Sequence, residues 1–483
     1  MWTILFSTIS TTHVITLVLC FIIIYLLYIQ RSGKLPPGPI GWPLIGCISC
    51  LGNDAFRKIQ HYNKTYGDIV SFRIYGKTII ILYSYDLIQE AANVNRSKVG
   101  RYTMVVNDLL AENSGISNYD TPKAIETRKA FLRHVHNSMK TTENNEDGKL
   151  HLVMPQNMIT SQINALIRQL RMLQGKPVNV LQLMRCTVWR IIWNFLFSKE
   201  CQLTDQQISD TLDYISSNNL QNQLFQTRQL LPSFCVHIFK HIRLARRLFK
   251  IEDIAYKHKT VRQLIDSNVG EEKNTNSLFG QLINDPKLNL TKNDISRLAY
   301  EFLAAGTDTT SLTLTWACDY FARAPPKDTF KLSPDIFDMV HRWASVVPLS
   351  LPHVVRESFS LKGYHIPRSS ILVYNLYAVH NNQLKSLINN KPQLNEMKES
   401  DKPIPFSLGS RSCPGARIAA PLIERILTEV NQEFLIQSAT QSSFETISSM
   451  NQESLTPFGI TRIPHKFMYI FIKRTNGIRR TSI

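Results

Sequence analysis

Hydrophobic and polar positions divide this chain into stretches of different character. From Trp2 to Gln30 there is no Lys, Arg, Asp or Glu, and Val14 to Ile29 is almost continuously apolar. With the preceding turn, that run is long enough to cross a bilayer as one helix. Arg31 and Lys34 follow at once, whereas a cleaved signal peptide would carry its positive charge before the apolar run. The pattern predicts an uncleaved single-pass anchor, residues 1–30, with the body on the Lys/Arg side, the cytosol. The next segment reads LPPGPIGWPLIG, Leu35 to Gly46, and its prolines exclude a helix. Residues 31–46 are therefore a stiff hinge, and residues 47–476, which contain no low-complexity linker or repeat, can form a single large body.

Within that body the local patterns are specific in places. Asp54 can cap a helix that ends at Tyr66 with Gly67 as its stop, and Ile69–Tyr75 and Thr78–Tyr83 read as a hairpin turning at Gly76-Lys77. Residues 141–151 and 270–276 are polar loops. Thr291 opens a T-x-x-D capping pattern for a long helix from Lys292 to about Phe321, stopped by Pro325 and Pro326. In its middle lies AAGTDTT, Ala304 to Thr310, where a glycine followed by threonines that can bond back to the preceding turn predicts a bent helix with a widened groove. Phe234 to Lys250 mixes apolar residues with Lys240, Arg243, Arg246, Arg247 and Lys250, a pattern that suits either an anionic lipid surface or an ordinary solvated helix face.

Composition narrows the partners. A formal net charge of +18 over 483 residues calls for an anionic counterpart, and because no nucleic-acid motif is present, a membrane or an acidic protein is favoured. The 8 cysteines lack framework spacing, which argues against a disulfide scaffold and for reduced thiols. Cys47 and Cys50 form a lone C-x-x-C without a βαβ context and read as incidental. His237 and His241 have the spacing of a metal pair but no evident third ligand.

The strongest chemistry lies in PFSLGSRSCPGARIAAPLIE, Pro405 to Glu424. Gly409 and Gly415 lack side chains, so the backbone can approach a flat porphyrin and turn N–H groups toward the Cys413 sulfur, while Arg411 can neutralise a propionate. An apolar helical run from Ala416 to Leu427 begins just after Cys413, and its positive end favours a thiolate there. Phe406, Gly409, Arg411, Cys413 and Gly415 together resemble the haem loop of the cytochrome P-450 family, F-x-x-G-x-R-x-C-x-G. A second match, to the family's A-G-x-[DE]-T-T, falls on Ala305, Gly306, Asp308, Thr309 and Thr310.

The resemblance implies a mainly α fold with small β-sheets, preceded by one N-terminal transmembrane helix, with Cys413 as the iron ligand of haem b. It implies a monooxygenase that inserts one oxygen atom from dioxygen into a small apolar substrate. Electrons would come from NADPH through a reductase, or from a cytochrome b-type donor, at the endoplasmic reticulum membrane. Thr309 would hydrogen-bond the distal oxygen, Asp308 would couple the site to solvent protons, and small Ala305 and Gly306 would leave room for dioxygen. Arg101 to Ile116 would face the substrate. His353 falls on a propionate-binding position, and Arg128 or Lys129 stands where the family's W-x-x-x-R has its arginine, without the tryptophan.

Other parts depart from the family. The Glu of E-x-x-R falls on Met339, leaving Arg342 without its acid, and Asp338 is one residue, about 100 degrees of helix, out of phase. The stretch from Trp316 to Arg342 is short, and KPQLNEMKESDK stands where a P-E-R-F-like segment belongs. These departures keep a degenerate haem-binding protein and a haem-thiolate isomerase or dehydratase open as alternatives.

Overall fold

The computed structural model describes residues 34–50, 55–103, 115–138 except 118, 156–218, 277–323, 333–382, 402–439, 461–464 and 468–474, with a few isolated positions elsewhere. Most of the expected anchor, Asp54, the basic segment 234–250 with its two histidines, the loops 141–151 and 270–276, and nearly all of 391–402 lie outside these residues. Among the described residues no helix is long and apolar enough to cross a membrane.

A 3₁₀ turn, Ile48–Cys50, leads into α1 (Ala55–Tyr66) and the hairpin of β1 (Ile69–Ile74) and β2 (Lys77–Leu82). Tyr75 and Gly76 both take positive φ, 47° and 76°, the two-residue turn whose twist matches the paired strands; it falls one residue before the expected Gly76-Lys77, and Lys77 already pairs with Ile74. Then come α2 (Tyr85–Gln89), a π turn (Glu90–Val94), β3 (Val99–Arg101), α3 (Pro122–Ser138), α4 (Gln156–Met172), β4 (Pro177–Asn179), α5 (Val180–Phe197), α6 (Asp205–Asn218), α7 (Leu278–Ile283), α8 (Lys292–Arg323) and α9 (Pro334–Ala344). The C-terminal third adds β5 (His353–Val355), β6 (Phe359–Leu361), β7 (Tyr364–Ile366), β8 (Ile371–Tyr374), α10 (Ala416–Glu433), β9 (Phe434–Ser438) and β10 (Met468–Lys473). Helices thus dominate. The strands form a five-stranded sheet ordered β1-β2-β8-β5-β3, parallel only between β2 and β8, a three-stranded sheet β4-β10-β9 and the pair β6-β7.

The centre of the main core is α8 packed on α5. Helix α5 reads VLQLMRCTVWRIIWNFLF and is buried nearly all round, as expected of a helix without a polar face. Helix α8 starts where the capping pattern predicts: Asp294 N–H donates to Thr291 Oγ1 at 3.2 Å while Thr291 N–H donates to Asp294 Oδ2 at 2.8 Å. It runs unbroken for 32 residues. Thr309 and Thr313 bond back to Ala305 and Thr309 carbonyls at 2.7 and 2.9 Å, the local chemistry foreseen for this stretch.

Candidate active site

The loop before α10 closes on itself through a bond from Cys413 N–H to the Phe406 carbonyl, 2.8 Å. Gly415 is the N-cap of α10, so the helix starts at Ala416, three residues after the cysteine. Cys413 is exposed, and the Arg128 and Arg101 guanidiniums lie near enough to favour its charged form. Burial pushes its thiol above the usual value, while the Gly415 and Ala416 amides and the Arg128 guanidinium act in the opposite direction.

Two glycines also admit close protein neighbours. Gly409 has φ +78°, and a Cβ there would collide with the Ala92 carbonyl of the π turn, so the missing side chain admits that turn. At Gly306 a Cβ would lie 2.9 Å from Ile192 Cδ1, so this glycine permits the close approach of α8 to α5. Ala305, which is exposed, and half-buried Thr309 mark the face of α8 that does open onto space.

On the sheet side of the loop, Arg101 in β3 and His353 in β5 are register partners, which places their backbones directly opposite each other. Arg101, a residue the sequence did not single out for cofactor binding, donates to the Leu351 and Arg411 carbonyls at 2.9 and 3.0 Å. Arg128 donates to the Ser410 carbonyl at 3.3 Å and to the Ser412 carbonyl, whereas Lys129 points away and pairs with Glu126 at 2.7 Å. The choice between the two bases therefore falls on Arg128, which braces the loop.

The cluster is rich in positive charge. Burial, then Arg411 and Arg128, lower Arg101 to about 9; burial, then Arg411, lower Arg128 to about 10. His353, stacked on Tyr374 at 4.2 Å, is held well below 6.5 by burial and the neighbouring Arg101 and Arg411. Among the described residues Arg101 Nε, Arg411 Nη1 and His353 Nδ1 are buried without hydrogen-bond partners. Such atoms are costly unless a ligand accepts from them. The two guanidinium nitrogens suit a ligand bearing carboxylates, and the Cys413 sulfur lies near the same arginines; haem satisfies both requirements.

On α8, Asp308 is buried and paired with Arg185 of α5 at 3.0 Å, and Arg185 also reaches Asp213 of α6 at 2.9 Å. The Asp213 side chain is 65% exposed, so the connection from Asp308 to solvent runs through a guanidinium. Glu301, one turn before Ala305, accepts from Ile116 N–H at 2.9 Å and from Ser117 N–H and Oγ at 3.2 Å, tying the loop before α3 to α8. The sequence reading passed over Arg185 and Glu301.

Arg342 is buried, and the expectation that it lacks any partner is corrected: its Nη1 meets the His380 carbonyl at 3.5 Å, and it makes further contacts. Behind it, His380 Nε2 accepts from Ile404 N–H at 3.0 Å, so Nδ1 carries the proton toward Ser345 Oγ at 2.8 Å. A neutral imidazole thus joins α9 to the start of the cysteine loop.

The comparisons agree with this geometry. A family profile described as Cytochrome P450 matches residues 36–326 and 340–471, and its interruption coincides with the short stretch before Arg342. The chain is 21% identical to Cytochrome P450 2C5 of Oryctolagus cuniculus over 498 residues, covering 95% of this chain and 99% of the relative. It is 24% identical to Cytochrome P450 2C38 of Mus musculus over 515 residues, 95% and 98% covered, and 25% identical to Cytochrome P450 2C3 of Oryctolagus cuniculus over 455 residues, 84% and 88% covered. With a family match across most of its length and a loop cysteine close to buried arginines, the chain belongs to the cytochrome P450 family.

Proposed function

We propose that the chain is a membrane-anchored monooxygenase in which Cys413 ligates haem iron and Arg411, Arg101 and His353 receive the propionates. As a P450 the chain is a haem-thiolate oxidoreductase that acts on small organic substrates with haem b and electrons from NADPH delivered through a reductase. The observation that carries the residue assignment is the pair of unpartnered buried guanidinium nitrogens, Arg101 Nε and Arg411 Nη1, beside the Cys413 loop. Phe406, Gly409 and Gly415 shape that loop, and Arg128 braces it.

The haem supplies activation of dioxygen and transfer of one oxygen atom to carbon. The protein's own part is to hold the sulfur deprotonated, to keep the carboxylates of the cofactor neutralised, and to hold protons at the distal face. The α10 amides and the Arg128 charge favour the thiolate against the effect of burial. Thr309 Oγ1 is a hydroxyl beside exposed Ala305, and Asp308, through Arg185 and Asp213, links that face to solvent.

Residues 1–30 anchor the chain in the endoplasmic reticulum membrane, residues 31–46 are the hinge, and residues 47–476 face the cytosol. Ile40, Trp42 and Leu44 in the hinge are each at least 74% exposed, an apolar surface next to the anchor that suits the bilayer boundary. The surplus of positive charge suits an acidic reductase or cytochrome b-type donor. The test is reconstitution with an NADPH-dependent reductase under labelled dioxygen. Incorporation of one labelled atom into an apolar substrate is expected; haem without NADPH consumption would favour the degenerate or isomerase readings. Deleting residues 1–34 is expected to release the folded chain from membranes.

A further inference from the structure

We propose that Asp120 is a positioning residue that aims Arg411 at the carboxylates of the bound cofactor. This rests on the haem reading above. Asp120 lies just before α3, and its carboxylate is divided between two guanidiniums: Oδ1 accepts from Arg411 Nη2, and Oδ2 accepts from Arg356 Nε at 2.6 Å. Arg411 Nη2 also donates to the Tyr119 carbonyl at 3.2 Å. A guanidinium is a rigid planar fork, so fixing one nitrogen to two acceptors fixes the direction of the others. The remaining terminal nitrogen, Nη1, is buried and has no partner among the described residues. Asp120 thus holds one prong of Arg411 and leaves the other for a ligand.

The second guanidinium explains why Asp120 does not simply cancel Arg411. Arg356 engages the other oxygen of Asp120, so one negative charge is shared between two positive ones and Arg411 keeps a net demand for an anion. Arg101 and Arg128 add to that demand. Four guanidiniums against one carboxylate leave a surplus of three positive charges, enough to accept the two propionates of a porphyrin and still favour the nearby Cys413 thiolate. The arrangement is built into the backbone as well: a Cβ at Gly100 in β3 would collide with both Asp120 Oδ2 and Arg356 Nε. The Asp120 side chain is 16% exposed and that of Arg411 6%, so the pair is shielded from solvent.

The test compares binding of two porphyrins to apoprotein by absorbance titration: haem, and its dimethyl ester, in which both propionates are neutralised. Asp120→Asn removes the charge-assisted bond and is expected to weaken haem binding about tenfold or more while leaving the ester unchanged. In an Arg411→Gln background the same substitution is expected to change haem affinity less than twofold, because the group through which it acts is gone. Loss of both porphyrins to the same extent would show a merely structural carboxylate and overturn the proposal. Unchanged or tighter haem binding would overturn it too. A parent protein that discriminates between the porphyrins while Asp120→Asn behaves identically refutes the positioning role alone; a parent that binds neither refutes the haem reading as well.

Discussion

Glu301→Ala tests whether the loop leading into α3 is held by the long helix. The carboxylate accepts three hydrogen bonds on Oε2, from the Ile116 and Ser117 amides and the Ser117 hydroxyl, and its other oxygen is 3.5 Å from Arg297 Nε. Glu301 and Ile116 are both buried, and the Gly115 backbone lies so close to the carboxylate that a Cβ there would collide with it. Bonds to a charged acceptor contribute about 1.5–3 kcal/mol each, so three could reach about 5–9 kcal/mol. Water entering the space and relaxation of the loop should bring the net loss down to about 3 kcal/mol, a large share of the usual total of about 5–15 kcal/mol. Urea unfolding reads that loss, and amide exchange localises it. A 3 kcal/mol loss corresponds to roughly a hundredfold faster opening, and it should appear at Ile116 and Ser117 before it appears in the α5–α8 core. Stability within 0.5 kcal/mol of the parent, on the order of a neutral surface change, together with unchanged exchange at both amides, would refute the clamp.

Thr309→Ala is expected to raise peroxide released per electron consumed while the haem spectrum stays intact; equal coupling in the two proteins would remove Thr309 from proton delivery. Acid should be destabilising through buried histidines. Burial lowers His341 to about 4 and, with Arg342 nearby, His380 to about 3, and His353 is also depressed. Their folded values lie below the unfolded value of 6.5, so the unfolded chain binds more protons and stability falls as pH drops from about 6.5 toward 4. His341 and His380 each contribute on the order of 1.4 kcal/mol between pH 7.5 and 5.5, about 3 kcal/mol together, and His353 acts in the same direction. A flat denaturation midpoint across that range would contradict the neutral assignment.

Local signals in the sequence translated well where one element decides the outcome. The T-x-x-D cap places the start of α8, and the Gly76 turn places the β1-β2 hairpin, because both depend on a few adjacent residues. Helix α5 was not legible for the opposite reason: its apolar residues face every direction, so no period distinguishes it. The neighbours of Gly306 and Gly409 were not legible because a glycine signals close approach without saying what approaches; on the protein side it is Ile192 and the Ala92 carbonyl. Arg101, Asp120, Arg185 and Glu301 act across 100 to 300 residues of sequence, in contacts that only the folded chain brings together. Arg342 shows the same limit, since its acceptor is a carbonyl, which no side-chain motif records.

The central claim is that the Cys413 sulfur is the iron ligand, and the most direct test is the reduced carbon monoxide difference spectrum of the parent and of Cys413→Ser. The account predicts thiolate-type absorption in the parent and its disappearance in the variant, because an alcohol does not supply the thiolate's electron density to iron. The same thiolate signature in both proteins would show that another group holds the haem and would contradict the assignment.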